Sequence, residues 1–205
     1  MKPPARPVLA FLASLLLTTV PAHGAGPPPQ GLDEMRAFAR QLVINEAYED
    51  AIATYITIAE QTPQDPRSHY DVAGIMVFLR MYNEALPRIE RAIALDRGNV
   101  LYHELAALSY MQMERFEEAF VATRNGAELG DIKAMYTLSG MYEHGRGTSP
   151  SPNKALHWLE RAARSGHMGA MDAMSRVYRD GLYGQVPDPE REQRWRRTLQ
   201  RALAE

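Results

Sequence analysis

A 34-residue repeat constrains this chain more than any other feature. An aromatic residue stands at Tyr48, Tyr82 and Phe116, and alanine follows three positions later each time, at Ala51, Ala85 and Ala119. A second set of small residues, Ala39, Ala73 and Ala107, keeps the same spacing one helix earlier. The segments between short breaks have helical periodicity, and no alternating Val/Ile-rich run suggests a strand. Small side chains at both places let two antiparallel helices approach closely, while the aromatic fills the space beside the turn. Towards the end of the chain, "NKALHWLERAARSGHMGA" (residues 153–170) is followed 36 positions later by a distorted echo of itself. Such a hairpin buries its apolar face only against another hairpin, so the chain must fold by stacking.

The first set of positions resembles the tetratricopeptide repeat, which pairs two helices per 34 residues; residues 32–133 supply three such units. The tryptophan common near the start of that motif is absent, and Met35, His69 and His103 stand in its place. His69 and His103 are therefore expected to pack rather than to bind metal. Residues 134–205 resemble the Sel1-like variant of the same hairpin. Ala134, Leu138, Ser139 and Tyr142 lead into a Gly-x-Gly loop at Gly145 and Gly147, followed by Lys154, Ala155, Trp158 and the pair Ala162 and Ala163. The final unit repeats Ala170, Met174, Ser175, Tyr178, Gly181, Gly184 and Trp195 with one extra residue in its loop. There Glu192, Leu199 and Gln200 replace the close-packing alanines, as a solubilising terminal cap should. The resemblance implies an all-α fold: a right-handed α-solenoid of about five antiparallel helical hairpins, three tetratricopeptide-like and two Sel1-like with a C-terminal capping helix.

Residues 1–24 have the form of a secretory signal peptide. Lys2 and Arg6 precede an apolar stretch from Val8 to Val20, and small residues follow at Ala22, Gly24 and Ala25. The stretch is short for a membrane helix, which needs roughly 20 residues, so no stable membrane insertion is expected after cleavage; an uncleaved anchor is the alternative. Residues 25–31, with Pro27 to Pro29, form a Pro-rich flexible tether. The expected location is periplasmic or otherwise secreted. Cysteine is absent from the 205 residues, so neither a disulfide framework nor a thiolate nucleophile is available. Loss of Lys2 and Arg6, with no acid, takes the formal charge from −2 to −4. A nucleic-acid binder would usually be basic, and none is expected as a partner.

No catalytic, cofactor or metal site emerges. His157 and Glu160 share a helix face but supply two ligands, fewer than a zinc site needs. "GRG" at 145–147 could cradle an anion, yet no phosphate-loop lysine follows and the Sel1-like interhelix turn is the reading preferred. No nucleophile motif occurs, so an enzyme is not expected. The last helix packs five arginines beside Trp195, Leu199 and Leu203; either it lies on an anionic surface, or its apolar stripe docks on the preceding hairpin and the arginines are solvated.

In hairpin arrays of this kind the first helices line a concave groove. The groove-facing offsets from the small first-helix residue select Arg36 and Arg40; Tyr70, Gly74 and Val77; Glu104, Leu108 and Met111; Tyr136, Gly140 and Glu143; and Asp172, Arg176 and Arg179. The centre is apolar and aromatic, the ends charged. Candidate partner-binding residues are thus Arg36, Arg40, Tyr70, Val77, Glu104, Leu108, Met111, Tyr136 and Arg176, with a peptide or helix of a partner protein as ligand. The function expected is an exported interaction scaffold in assembly or regulation of a cell-envelope complex, or alternatively a module that binds peptidoglycan or another cell-wall ligand. Nothing in the residues specifies an oligomeric state.

Overall fold

The computed structural model describes residues 31–204. The expected signal peptide, residues 1–24, and all but the last residue of the expected tether lie outside these residues. Among the described residues there are ten α-helices and no strand: α1 (Leu32–Ile44), α2 (Tyr48–Gln61), α3 (Pro66–Phe78), α4 (Tyr82–Leu95), α5 (Val100–Gln112), α6 (Phe116–Glu128), α7 (Ile132–His144), α8 (Pro152–Arg164), α9 (Met168–Asp180) and α10 (Pro189–Ala202). Each helix packs on the next in chain order, which gives five hairpins in one array. None of these helices is long and apolar enough to cross a membrane.

The start of each odd-numbered helix from α3 onward is fixed by a side chain that accepts an otherwise unpaired backbone N–H. Asp65 serves α3, Asn99 serves α5 and Asp131 serves α7. At α9 the imidazole of His167 takes this role, with Nδ1 accepting from the Ala170 N–H at 3.1 Å. Buried His69 and His103 tie the preceding loops to their helices: Nε2 donates to the Pro63 carbonyl at 3.1 Å and, 34 residues on, to the Arg97 carbonyl at 3.0 Å. Their role is packing and loop anchoring, as the repeat positions suggested.

The repeating alanines are the close-contact points. Ala39, Ala73, Ala51, Ala85, Ala119 and Ala155 are completely buried, whereas Ala107 is half-buried and Ala106 beside it is buried. Two apolar clusters result. One runs from Ala39 through Ile58, Val72, Met76 and Ile89 to Ala122; the other runs from Ala119 through Phe120, Leu138, Tyr142 and Trp158 to Met174 and Tyr178. They meet at α5 and α6, where Tyr110 packs against both. At the C-terminus Trp195, Leu199 and Ala202 dock α10 on the second cluster. Leu203, expected in that stripe, follows the helix and is 67% exposed.

The glycine loop after α7 is an interhelix turn with a specific docking role. Gly147 has φ +72°, and a Cβ there would fall 1.9 Å from the Phe116 carbonyl oxygen. The Arg146 guanidinium stacks 4.4 Å from the Phe116 ring. The loop therefore closes directly on the backbone at the start of α6, an approach that only a residue without a side chain permits.

Candidate partner-binding surface

The first-helix residues selected from the sequence divide into two groups. Arg36 and Val77 do not line a surface, which corrects the expectation for both. Val77 is 8% exposed and belongs to the first apolar cluster; the exposed side chain at that end of α3 is Phe78, which pairs with Tyr48 at 5.7 Å between ring centroids. The offset of four residues from Ala73 thus points inward here, and the outward position is one residue later. Arg36 is buried beneath α3. Its Nη2 donates to Asp65 Oδ2 at 2.6 Å and to Ser68 Oγ at 3.0 Å, and its Nε lies 3.6 Å from Asp71 Oδ2. Ser68 in turn donates to Asp65 at 2.8 Å, closing a network between the first two hairpins.

Two carboxylates in this network shift in opposite directions. Burial alone would raise Asp65, but hydrogen bonds from Ser68, the Arg67 N–H and Arg36 outweigh it and hold the carboxyl below its ordinary range. At Asp71 burial dominates, and the attraction of Arg67 and Arg36 does not offset it, so the carboxyl is raised.

The remaining residues are available on successive first helices. Arg40 is exposed on α1. On α3, Tyr70 is half-buried, its ring 5.2 Å from that of Tyr102, and burial followed by the nearby Glu104 charge raises its hydroxyl. On α5, Glu104 is exposed with no salt-bridge partner among the described residues, Leu108 is 46% exposed and Met111 is half-buried. On α7, Tyr136 is 36% exposed and its ring stacks on His167 at 4.3 Å and 20°. On α9, Arg176 is exposed and pairs with Asp172 at 3.4 Å. The contributions of Tyr102, His167 and Phe78 escaped the offset rule, because each lies off the groove-facing positions: buried Tyr102 backs Tyr70 and His167 stacks on Tyr136 through ring contacts, while Phe78 is exposed on a shifted face.

Gly74 and Gly140 occupy equivalent positions on α3 and α7. A Cβ at either would meet no atom within 4 Å. Glycine inside a helix costs about 0.5–1 kcal/mol relative to alanine, and neither packing nor a turn requires it at these places. What the two glycines do is leave the surface open on either side of Leu108. Among the described residues no group of three or more His, Asp or Glu is placed to hold a metal ion.

The first glycine loop and the tryptophan after it, Trp158, lie within residues 132–167, which a known family model matches. The matching family is the Sel1 repeat. A Sel1 repeat protein from Oxalobacter formigenes is 28% identical, with 75% of this chain and 64% of that one covered and a TM-score of 0.59. YrrB, a tetratricopeptide protein with an unusual peptide-binding site, is 17% identical over 85% of this chain and 88% of its own, with a TM-score of 0.56; that likeness shows the fold alone. Chitin synthase regulatory factor 2 of Schizosaccharomyces pombe is 32% identical over 73 residues, which make up 36% of this chain and 14% of that protein. The chain thus spans a small part of that relative and just under two thirds of the Oxalobacter formigenes protein. The ten helices described here follow the Sel1 and tetratricopeptide array of these structures.

Proposed function

We propose that this protein is an exported adaptor that captures a helical or extended segment of a partner protein along its first-helix surface, within a cell-envelope complex. The observation that carries this reading is the pair of helix-interior glycines, Gly74 and Gly140, bare above their Cα atoms and flanking exposed Leu108. Tyr70 and Tyr136 supply aromatic anchors on the same helices, and aromatic anchors dominate binding energy at interfaces. Export is supported by the charge, apolar length and small residues of residues 1–25. The peptide-binding site of the structurally similar YrrB supports a peptide ligand.

The test fills the open floor. Gly74→Leu and Gly140→Leu should leave thermal stability unchanged or raised, since leucine is a better helix former. Partners crosslinked to the parent protein in envelope preparations should be lost from the double variant. Unchanged crosslinking would remove this surface from the binding function, and retention of both forms on purified peptidoglycan would favour a wall-ligand module instead. Intact Met1 on the native protein would contradict export.

A further inference from the structure

A cleft of about 560 Å³ opens between α8 and α10, with α9 as its floor. It lies on the second-helix side of the array, away from Tyr70, Leu108 and Tyr136, and does not depend on the role proposed for them. Arg164, Arg191 and Arg194 line its walls, and Met171, Tyr178 and Trp195 its interior. Arg164 is paired with Glu160 at 2.6 Å, also in the lining. Arg191 meets Asp188 at 3.2 Å and stacks 5.2 Å from the Tyr178 ring. Arg194 differs: its guanidinium has neither a carboxylate nor a hydrogen-bond partner among the described residues, and only its backbone carbonyl is engaged, by the Thr198 hydroxyl at 3.0 Å. Along α10 it continues into Arg197 and Arg201, three and seven residues on and therefore on one face; neither meets a carboxylate.

We propose that this cleft binds an acidic peptide segment of a partner protein, a carboxylate on Arg194 and an apolar side chain beside Trp195. The guanidinium fork matches a carboxylate bidentately, and the Arg197 and Arg201 stripe steers negative charge to the opening. A ligand with both acidic and apolar groups fits better than a polyanion, because Glu160 and the nearby Asp188 would repel a continuous run of phosphates. A bilayer fits less well still. The apolar face of α10, Trp195, Leu199 and Ala202, is spent on docking to the second apolar cluster, leaving no exposed apolar stripe to insert.

The experiment uses the purified protein and a labelled peptide alternating Glu and Leu, followed by fluorescence anisotropy, with a Gln-for-Glu peptide and phosphatidylglycerol vesicles as comparisons. Arg194 is exposed, so Arg194→Glu should fold normally and bind the acidic peptide at least tenfold more weakly; the Gln peptide should bind the parent at least tenfold more weakly too. Gly140→Leu should leave this binding unchanged. Equal affinity for the parent and Arg194→Glu, or no binding of the acidic peptide by the parent, would overturn the proposal. Binding of the vesicles without the peptide would overturn it in favour of a lipid-facing surface.

Discussion

The hairpins α1–α2, α3–α4 and α5–α6 on one side, and α7–α8 on the other, end their first helices in the same backbone motif with different residues. After α1, α3 and α5 the left-handed position is filled by Glu46, Arg80 and Glu114, with φ of 60°, 61° and 58°. The next N–H reaches back five residues in each case: Ala47 to Leu42, Met81 to Met76 and Arg115 to Tyr110. After α7 the same bond runs from Arg146 to Met141, but Gly145 holds the left-handed position. A left-handed residue with a side chain costs about 1–2 kcal/mol, so the first three turns are held by their hydrogen bonds and helix packing against a local backbone preference. The α7–α8 hairpin removes that conflict with Gly145. It also spends its longer loop on a contact with the preceding hairpin that the three-residue turns cannot reach. One repeat period can therefore conceal two kinds of junction, one set by helix contacts alone and one also by a loop docked on backbone.

Gly147 tests that difference most severely. Its absent Cβ would sit 1.9 Å from the Phe116 carbonyl oxygen, whereas the equivalent Gly184, φ +76°, has nothing within 4 Å. Gly147→Ala must displace the loop from α6 and should cost about 3 kcal/mol or more, beyond the usual overpacking range. Gly184→Ala should cost only about 1 kcal/mol, the left-handed strain alone. Urea unfolding of both variants checks this, and equal losses would mean that the loop contact contributes nothing to the junction.

Much of the fold was legible because burial in a repeat is periodic. The 34-residue spacing of alanines marks the buried contacts: all of these alanines except Ala107 are buried, as the repeat requires. The surface was less legible. A groove offset assumes that each first helix presents the same face, but Arg36 is drawn under α3 by Asp65 and Asp71, which lie 29 and 35 residues away. Val77 faces inward because α3 is buried on more sides than α5. Neither shift has a local sequence signal. The glycines at 74 and 140 were visible in the sequence, yet only the empty space above them distinguishes a bare floor from a packing requirement.

The Arg36 network offers a second comparison, between two carboxylates facing one cation. Arg36→Ala leaves Asp65 and Asp71 without their shared partner and should destabilise by about 2–3 kcal/mol, below the ~3–5 kcal/mol of a fully buried pair because Asp65 is partly exposed. The lowered Asp65 contributes stability that is present above its unfolded pKa, about 4, and is lost as pH falls through its folded value. The raised Asp71 acts oppositely: its contribution is present below its unfolded pKa and is lost as pH rises through the folded one. At pH 7, Asp65→Asn should therefore lower the melting temperature while Asp71→Asn leaves it unchanged or raises it. The two should converge on acidification through the carboxylate range. Parallel melting curves across that range would show that the carboxylates are not distinguished by the network.

The smallest expected effect runs in the stabilising direction and returns to the turns. Glu114 makes no ion pair among the described residues and is exposed, so replacing it removes no contact. Glu114→Gly relieves the left-handed strain of about 1–2 kcal/mol but gives the unfolded chain more freedom, which returns about 0.5–1 kcal/mol. The net gain should be about 0.5 kcal/mol, read as a small rise in the urea midpoint with an unchanged slope. Glu46 and Arg80 hold nearly the same φ two periods and one period earlier, in separate turns. Combining Glu46→Gly, Arg80→Gly and Glu114→Gly should therefore add to about 1.5 kcal/mol, since distant sites are close to additive. A triple variant no more stable than the parent would mean that the charged turns carry little strain, and that glycine at Gly145 is required by the closeness of Pro150, 2.7 Å from a Cβ there, rather than by its backbone angle.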